Sequence, residues 1–136
     1  MSRPTMEALT VSVSIERPLS TVYDFTSVPE NFPTWASGLG SSLERTSEGE
    51  WVAKTPEGRV TIRFSEPNRF GVLDHTVIPA PGVEIYVPLR VVANGDAGSE
   101  VLLTLFRQPG MSDEKFAADA EWVLSDLQKL KALLEA

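Results

Sequence analysis

The sequence predicts an α+β protein in which a curved antiparallel sheet of six or seven strands grips one long C-terminal helix, with two short helices after the first strand. Three observations carry this. Residues 9–15 and most of 51–107 alternate apolar with polar side chains, the period of a half-buried strand. The turns between these stretches are too short for the crossover of about a dozen residues that a parallel partner needs, so neighbours must be antiparallel. From Ser112 onward the apolar residues recur every three or four positions, the period of a helix with one apolar stripe.

Residues 1–7 read as a flexible arm. In "LTVSVSI", Leu9, Val11, Val13 and Ile15 share one side of the first strand. Pro18 then suits a first helical turn, with Val22 and Phe25 on one face. Pro29 opens a second short turn, which contributes Phe32 and Trp35. The strand candidates that follow are "LGSSLERTSEG", which is weak, then "EWVAKT", "RVTIRFSE", "RFGVLDHTVI", "VEIYVPLRVVA" and "EVLLTLFR", joined by "TPEG", "PN", "PAPG" and "NGDAGS" into one meander. Ser112 is a natural N-cap, with Asp113 and Glu114 placed well for the helix dipole. Phe116, Ala120, Val123, Leu127, Leu130 and Leu134 form the stripe. A helix of about 22 residues is about 33 Å long, the length of a ten-residue strand, so one helix can lie along the whole sheet.

Propagating strand parity through the turns puts Trp51, Ala53, Val60, Ile62, Phe64, Leu73, His75, Val77, Ile85, Val87, Leu89, Val91, Val101, Leu103 and Leu105 on one face. Arg59, Arg63, Asp74, Glu84, Tyr86 and Arg90 fall on the other, where cross-strand ion pairs are expected. His75 is the only histidine of the chain. Asp74 precedes it directly, yet successive strand residues point to opposite faces, so the two cannot form a catalytic dyad. On an otherwise apolar face His75 is expected to be neutral, either as a satisfied core residue or as a polar contact for a ligand.

Composition removes several function classes. The chain of 136 residues is the size of one domain and carries 42% apolar and 23% charged residues. Nineteen acidic side chains against twelve Lys and Arg leave a net charge of −7, which repels nucleic acid and anionic lipid. Cysteine is absent, so disulfides, thiolate nucleophiles and cysteine metal sites are excluded, and one histidine leaves no convincing metal site. "GLGSS" lacks the lysine and following helix of a phosphate loop, "NGDAGSE" has too few acids for a calcium loop, and no nucleophile motif occurs. The first residues lack the apolar run of a signal peptide, and no stretch could span a bilayer. A soluble, cytoplasmic protein is expected, monomeric or homodimeric, with no cofactor.

The order strand, two short helices, meander and long final helix resembles the helix-grip fold of the START-like superfamily, in its polyketide cyclase/dehydrase-like branch. The likeness is carried by "VSVSIERPLSTVYDFTSVPENFPTW" and "SDEKFAADAEWVLSDLQKLKALLE" and covers about residues 8 to 135. It implies that residues 8–136 form a single ligand-binding domain, with a cavity between sheet and helix for an apolar or amphipathic small molecule. The superfamily includes lipid and hormone carriers, cyclases, ring-hydroxylase subunits and co-chaperones, and has no shared catalytic motif. The metal ligands of the ring hydroxylases require two histidines and are missing here.

On this reading the cavity wall draws on His75, Trp35, Trp51, Phe64, Val87 and Leu103 from the sheet and small-helix side, and on Asp119, Val123 and Leu127 from the long helix. Asp119 and Asp126 share one helix flank, which is either solvated or reaches the cavity edge. Trp122 lies off the stripe and covers a sheet edge or a partner surface. Three functions remain open: a binding module with His75 as a pocket hydrogen-bonding group, a cyclase or dehydratase in which His75 moves a proton, and an interaction module of co-chaperone kind. An enzyme requires a second ionisable group within reach of His75; a carrier requires the cavity without it.

Overall fold

The computed structural model describes residues 4–37, 43–55 and 58–136; "GLGSS", the first part of the weak strand candidate and the centre of the "TPEG" turn lie outside the described residues. The chain runs β1 (Ala8–Ile15), α1 (Leu19–Thr26), a 3₁₀ turn (Pro29–Thr34), β2 (Leu43–Arg45), β3 (Trp51–Thr55), β4 (Gly58–Phe64), β5 (His75–Ala80), β6 (Val83–Val87), β7 (Leu89–Ala93), β8 (Ser99–Phe106) and α2 (Asp113–Glu135). Before β1, Glu7 is tied to the end of β8, its carbonyl accepting the Arg107 N–H at 2.8 Å.

The strands form two ladders, β2-β3-β4-β5-β6 and β1-β8-β7, rather than one uninterrupted meander. The sequence predicts a single strand over 83–93; Pro88 divides it, because proline has no N–H to give a ladder. β6 therefore stays with β5 while β7 goes over to β8. The two ladders remain joined through the segment before β5. Val72 bridges Arg90, Leu73 N–H donates to the Leu89 carbonyl at 2.8 Å, and Val91 N–H donates to the Gly71 carbonyl at 2.9 Å. Gly71 has φ +70°, and a Cβ there would run into the Val91 carbonyl oxygen, so only glycine fits this crossing of the two backbones.

Next to Pro88, on the edge facing β5, one ladder position is completed by side chains. In a regular antiparallel pair Leu73 and Leu89 would exchange two hydrogen bonds. Here Leu89 N–H turns instead to Asp74 Oδ1 at 2.9 Å, and the Leu73 carbonyl accepts from His75 Nδ1 at 3.1 Å. Asp74 also accepts from Arg90 Nε at 2.9 Å, Arg90 Nη2 at 2.7 Å and the Tyr86 hydroxyl, so its carboxylate ties together residues on both sides of Pro88. The Arg90 hydrogen bond, opposed by partial desolvation and helped by Tyr86 and Leu89, holds the Asp74 carboxyl down at about 2.

The register fixes the faces. Phe64 pairs with His75 and His75 with Val87; Ile62 pairs with Val77 and Val77 with Ile85. Leu103 lies between Leu89 and Val11, and Val101 between Val91 and Val13. Directly opposed residues share a face, so the apolar set read from the sequence is one continuous concave surface. Ala53, Ile62, Leu89, Val91 and Val101 are fully buried in it. The irregularity between Val77 and Ala80 falls beyond His75 and leaves its orientation intact. On the convex side Arg63 pairs with Glu50 at 3.1 Å and Glu84 at 3.7 Å.

The concave surface is covered by three pieces rather than by the long helix alone. α2 packs against β1 and β8, α1 against β7, and the 3₁₀ turn against β2. Ser112 Oγ caps α2 by accepting from Lys115 N–H at 3.1 Å. At the other end Lys131 Nζ donates to the Ser14 carbonyl at 2.7 Å, and the Glu135 carboxylate accepts the Glu16 N–H at 2.7 Å. Phe116, Leu127 and Leu130 are buried, while Ala120 and Val123 between them are only half-buried.

Asp74→Asn is expected to cost about 1–2 kcal/mol of stability at pH 7, allowing for screening at half-exposed Arg90. A carboxyl with a depressed folded pKa stabilises above its ordinary value of 3.8 and loses that contribution as pH falls toward about 2. Urea titrations of the two proteins should therefore converge over that interval.

Candidate functional site

Between α2, the 3₁₀ turn and the sheet lies a cavity of about 200 Å³. Its sheet wall is Val87, Leu103, Leu105 and His75, on the β6 side of Pro88, at and beyond the end of the β7–β8 ladder. Phe32, Trp35 and Ala36 supply the second wall, and Val123 and Leu127 of α2 the third. Trp122 and Asp126 complete the lining; with Trp122 56% exposed, its indole stands at the rim toward solvent.

Pro29 and Pro33 confine the segment before the cavity to a short 3₁₀ turn, which brings Phe32 and Trp35 inward together. Their rings meet edge to face at 4.9 Å, and both are 2% exposed. Phe32 also meets Phe64 at 4.9 Å and His75 at 5.6 Å, while Phe64 lies 5.7 Å from His75. Such tilted and edge-on contacts are the favoured geometry of aromatic pairs. Trp35 Nε1–H is buried without a hydrogen-bond partner among the described residues.

His75 is a partly buried ring on this apolar wall. A carbonyl can only accept, so Nδ1 facing the Leu73 oxygen carries the proton, and neutral Nε2 keeps its lone pair. Burial pushes the imidazole below its ordinary 6.5, against the smaller opposing effects of the Leu73 carbonyl and the Asp74 charge. The ring makes no other hydrogen bond among the described residues. Asp74, on the far side of the sheet, acts on it only through space and through the shared repair at Leu73 and Leu89.

Asp126 is the second titratable group on the lining. Its carboxylate accepts from Ser37 Oγ at 2.7 Å and Ser37 N–H at 3.3 Å, tying α2 to the chain just beyond the 3₁₀ turn. Desolvation pushes its pKa up, outweighing the Ser37 hydrogen bonds and the Lys129 charge. Among the described residues no three His, Asp or Glu side chains come together as metal ligands would, and no helix is long and apolar enough to cross a membrane.

Of the site residues named from the sequence, His75, Trp35, Val87, Leu103, Val123 and Leu127 come together around this cavity. Phe64 touches His75 and Phe32 but faces a separate small space. Trp51 lies on the same concave face, opposite Ile62, two strands away from His75. Asp119 is held away from the cavity by Lys115, an i,i+4 neighbour at 2.6 Å. Of the two places open to Asp126, a solvated flank or the cavity edge, the structure has it at the edge, and Trp122 belongs to the rim rather than to a sheet edge. Phe32, Ala36 and Leu105 complete the wall; the alternation of β8 would have included Leu105, but nothing in the sequence sets Phe32 against His75.

No protein-family model matches the chain, and neither does any curated protein. Solved structures do match its fold. The chain superposes on protein XoxI from Bacillus cereus with a TM-score of 0.79 and 18% identity, covering 95% of this chain and 96% of that one. It superposes on a START superfamily protein from Mycobacterium smegmatis with a TM-score of 0.71 and 10% identity, covering 94% and 97%. Zhui aromatase/cyclase from a Streptomyces species matches with a TM-score of 0.68 and 14% identity, covering 96% and 94%. At such identities the likeness shows the fold alone, and that fold is START-like and polyketide cyclase-like, the helix-grip arrangement expected from the sequence.

Two outcomes are expected at His75. Its imidazole should titrate below 6.5, and stability should fall as pH drops through that region, because the unfolded chain takes up the proton first; His75→Gln should flatten this slope in urea titrations at pH 7.5 and 5.5. Asp74→Ala should free Leu89 N–H to reclaim the Leu73 carbonyl, removing the Nδ1–H preference seen in imidazole ¹⁵N shifts. Asp74→Asn retains an acceptor at Oδ1 and should preserve it.

Proposed function

We propose that this protein binds a small apolar or amphipathic molecule in the cavity beneath α2, with His75 Nε2 accepting a hydrogen bond from it. The carrying observation is a cavity of about 200 Å³ whose lining residues are apolar apart from one neutral imidazole, a carboxylate engaged by Ser37 and the indole N–H groups of Trp35 and Trp122. An engineered apolar cavity of about 150 Å³ takes benzene, so the size suits a ligand of one ring or two fused rings. A ligand burying about 300 Å² of apolar surface gains roughly 7 kcal/mol before ordering costs, and micromolar binding needs about 8. A polar contact is therefore required, and the imidazole supplies it. The START-like fold of the structural neighbours supports the same reading.

A binding role is favoured over catalysis by the hydrogen bonds of His75. Proton transfer at a substrate carbon calls for a partner that sets or relays the charge of the imidazole. Here the ring donates to a backbone carbonyl, the adjacent carboxylate faces the opposite side of the sheet, and Asp126, the other titratable group on the lining, is hydrogen-bonded to Ser37 and not to the imidazole.

Native mass spectrometry of the protein purified from its own host should reveal a co-purifying small molecule. His75→Ala should weaken its binding about five- to tenfold, the worth of one neutral hydrogen bond. Absence of any bound species, together with no thermal shift across a screen of phenols and hydroxylated polycyclic aromatics, would overturn the reading; unchanged affinity in His75→Ala would remove the imidazole from it.

A further inference from the structure

A second, smaller space of about 20 Å³, room for about one water, lies on the other side of Phe32, walled by Thr26 and Leu73 and rimmed by exposed Ser65 and Pro67. Phe32 is the one residue, among those described, that lines both this space and the larger cavity. Phe64 faces the smaller space, His75 faces the larger one, and the Phe32 ring stands edge-on to both side chains, at 4.9 Å and 5.6 Å. A single ring therefore separates the larger cavity from the smaller space. Trp35 meets the ring edge to face on one side, and the short turn Pro29–Thr34 carries its backbone.

Resting on the binding function proposed above, we infer that Phe32 is the specificity-determining residue that sets the length of the ligand. The Phe32 ring closes the cavity on the side of the smaller space, so a ligand with its hydroxyl on Nε2 cannot continue past the ring on that side. Ligands of one ring or two fused rings fit; a linear biaryl with the same hydroxyl collides with the septum. Replacing the ring by a methyl group joins the two spaces and extends the site past Phe32. The smaller space has polar residues on its wall, including Thr26 and Ser65, so the extended site should also tolerate a second polar group at the far end of a longer ligand.

The test uses phenol, 2-naphthol and 4-phenylphenol as probes, titrated by calorimetry into the full chain. Wild type should bind 2-naphthol and bind 4-phenylphenol about tenfold or more weakly. Phe32→Ala should reverse that order, with 4-phenylphenol gaining about tenfold over wild type. Phe32→Leu, which keeps most of the core filled, should show the same change in smaller degree and serves if the alanine variant does not fold, as judged by circular dichroism. An unchanged ratio of the two affinities in folded variants would overturn the septum while leaving the binding site standing. Failure of wild type to bind any of the three, with no co-purifying molecule, would instead overturn the binding function itself.

Discussion

The backbone of Pro88 carries no N–H, and much of the architecture follows from placing that residue in the middle of a sheet. The missing donor falls on the β8 side, where the Pro88 carbonyl still accepts the Thr104 N–H at 3.0 Å, and β8 pairs with 89–93 while 83–87 stays with β5. On the β6 side of that point Val87, Leu103 and Leu105 face the cavity. On the opposite edge of the strand the Leu73–Leu89 pair is incomplete, and a buried backbone group left unsatisfied costs about 1–3 kcal/mol. Asp74 and His75 divide the repair. One takes the orphaned Leu89 N–H on the convex side and the other gives its proton to the Leu73 carbonyl on the concave side.

This division explains how two adjacent ionisable residues come to be independent in charge and yet coupled in position. The Asp74 carboxylate is held ionised by Arg90, Tyr86 and Leu89, in contact with solvent-facing groups. The imidazole is held neutral by the surrounding rings of Phe32 and Phe64. The sheet between them separates a region that favours charge from one that penalises it. On the sheet wall of the cavity this leaves an imidazole acceptor whose tautomer is dictated by a backbone carbonyl.

The cavity itself results from incomplete cover. A helix of 23 residues is long enough to span the sheet, but α2 is seated over β1 and β8, fixed by the Ser112 cap at one end and by Lys131 and Glu135 at the other. Its stripe is narrow, and Val123 in the middle meets empty space as much as sheet. The short turn carrying Phe32 and Trp35 covers part of the remainder, and Asp126 joins that turn to the helix through Ser37. Neither piece is bulky enough to fill the concave surface, so a hollow persists between them.

Sequence periodicity determined the class of every long element, the antiparallel neighbours and the concave face, because a period of two in strands and about 3.6 in a helix is local and independent of what packs against it. It was enough to place His75 inward, Asp74 outward, and Val123 and Leu127 over the sheet. The split at Pro88 was readable in principle from the proline alone, but its consequence depended on which strand each half would join. Asp119 and Asp126 lie on the same flank of α2, and only packing decided that Lys115 would hold the first while Ser37 drew the second to the cavity edge. The setting of Phe32 against Phe64 and His75 likewise joins residues far apart in the chain, through contacts that no local pattern encodes. The elements and their faces thus belong to the sequence, whereas the space they fail to fill belongs to the tertiary structure, since a void is a property of how surfaces meet.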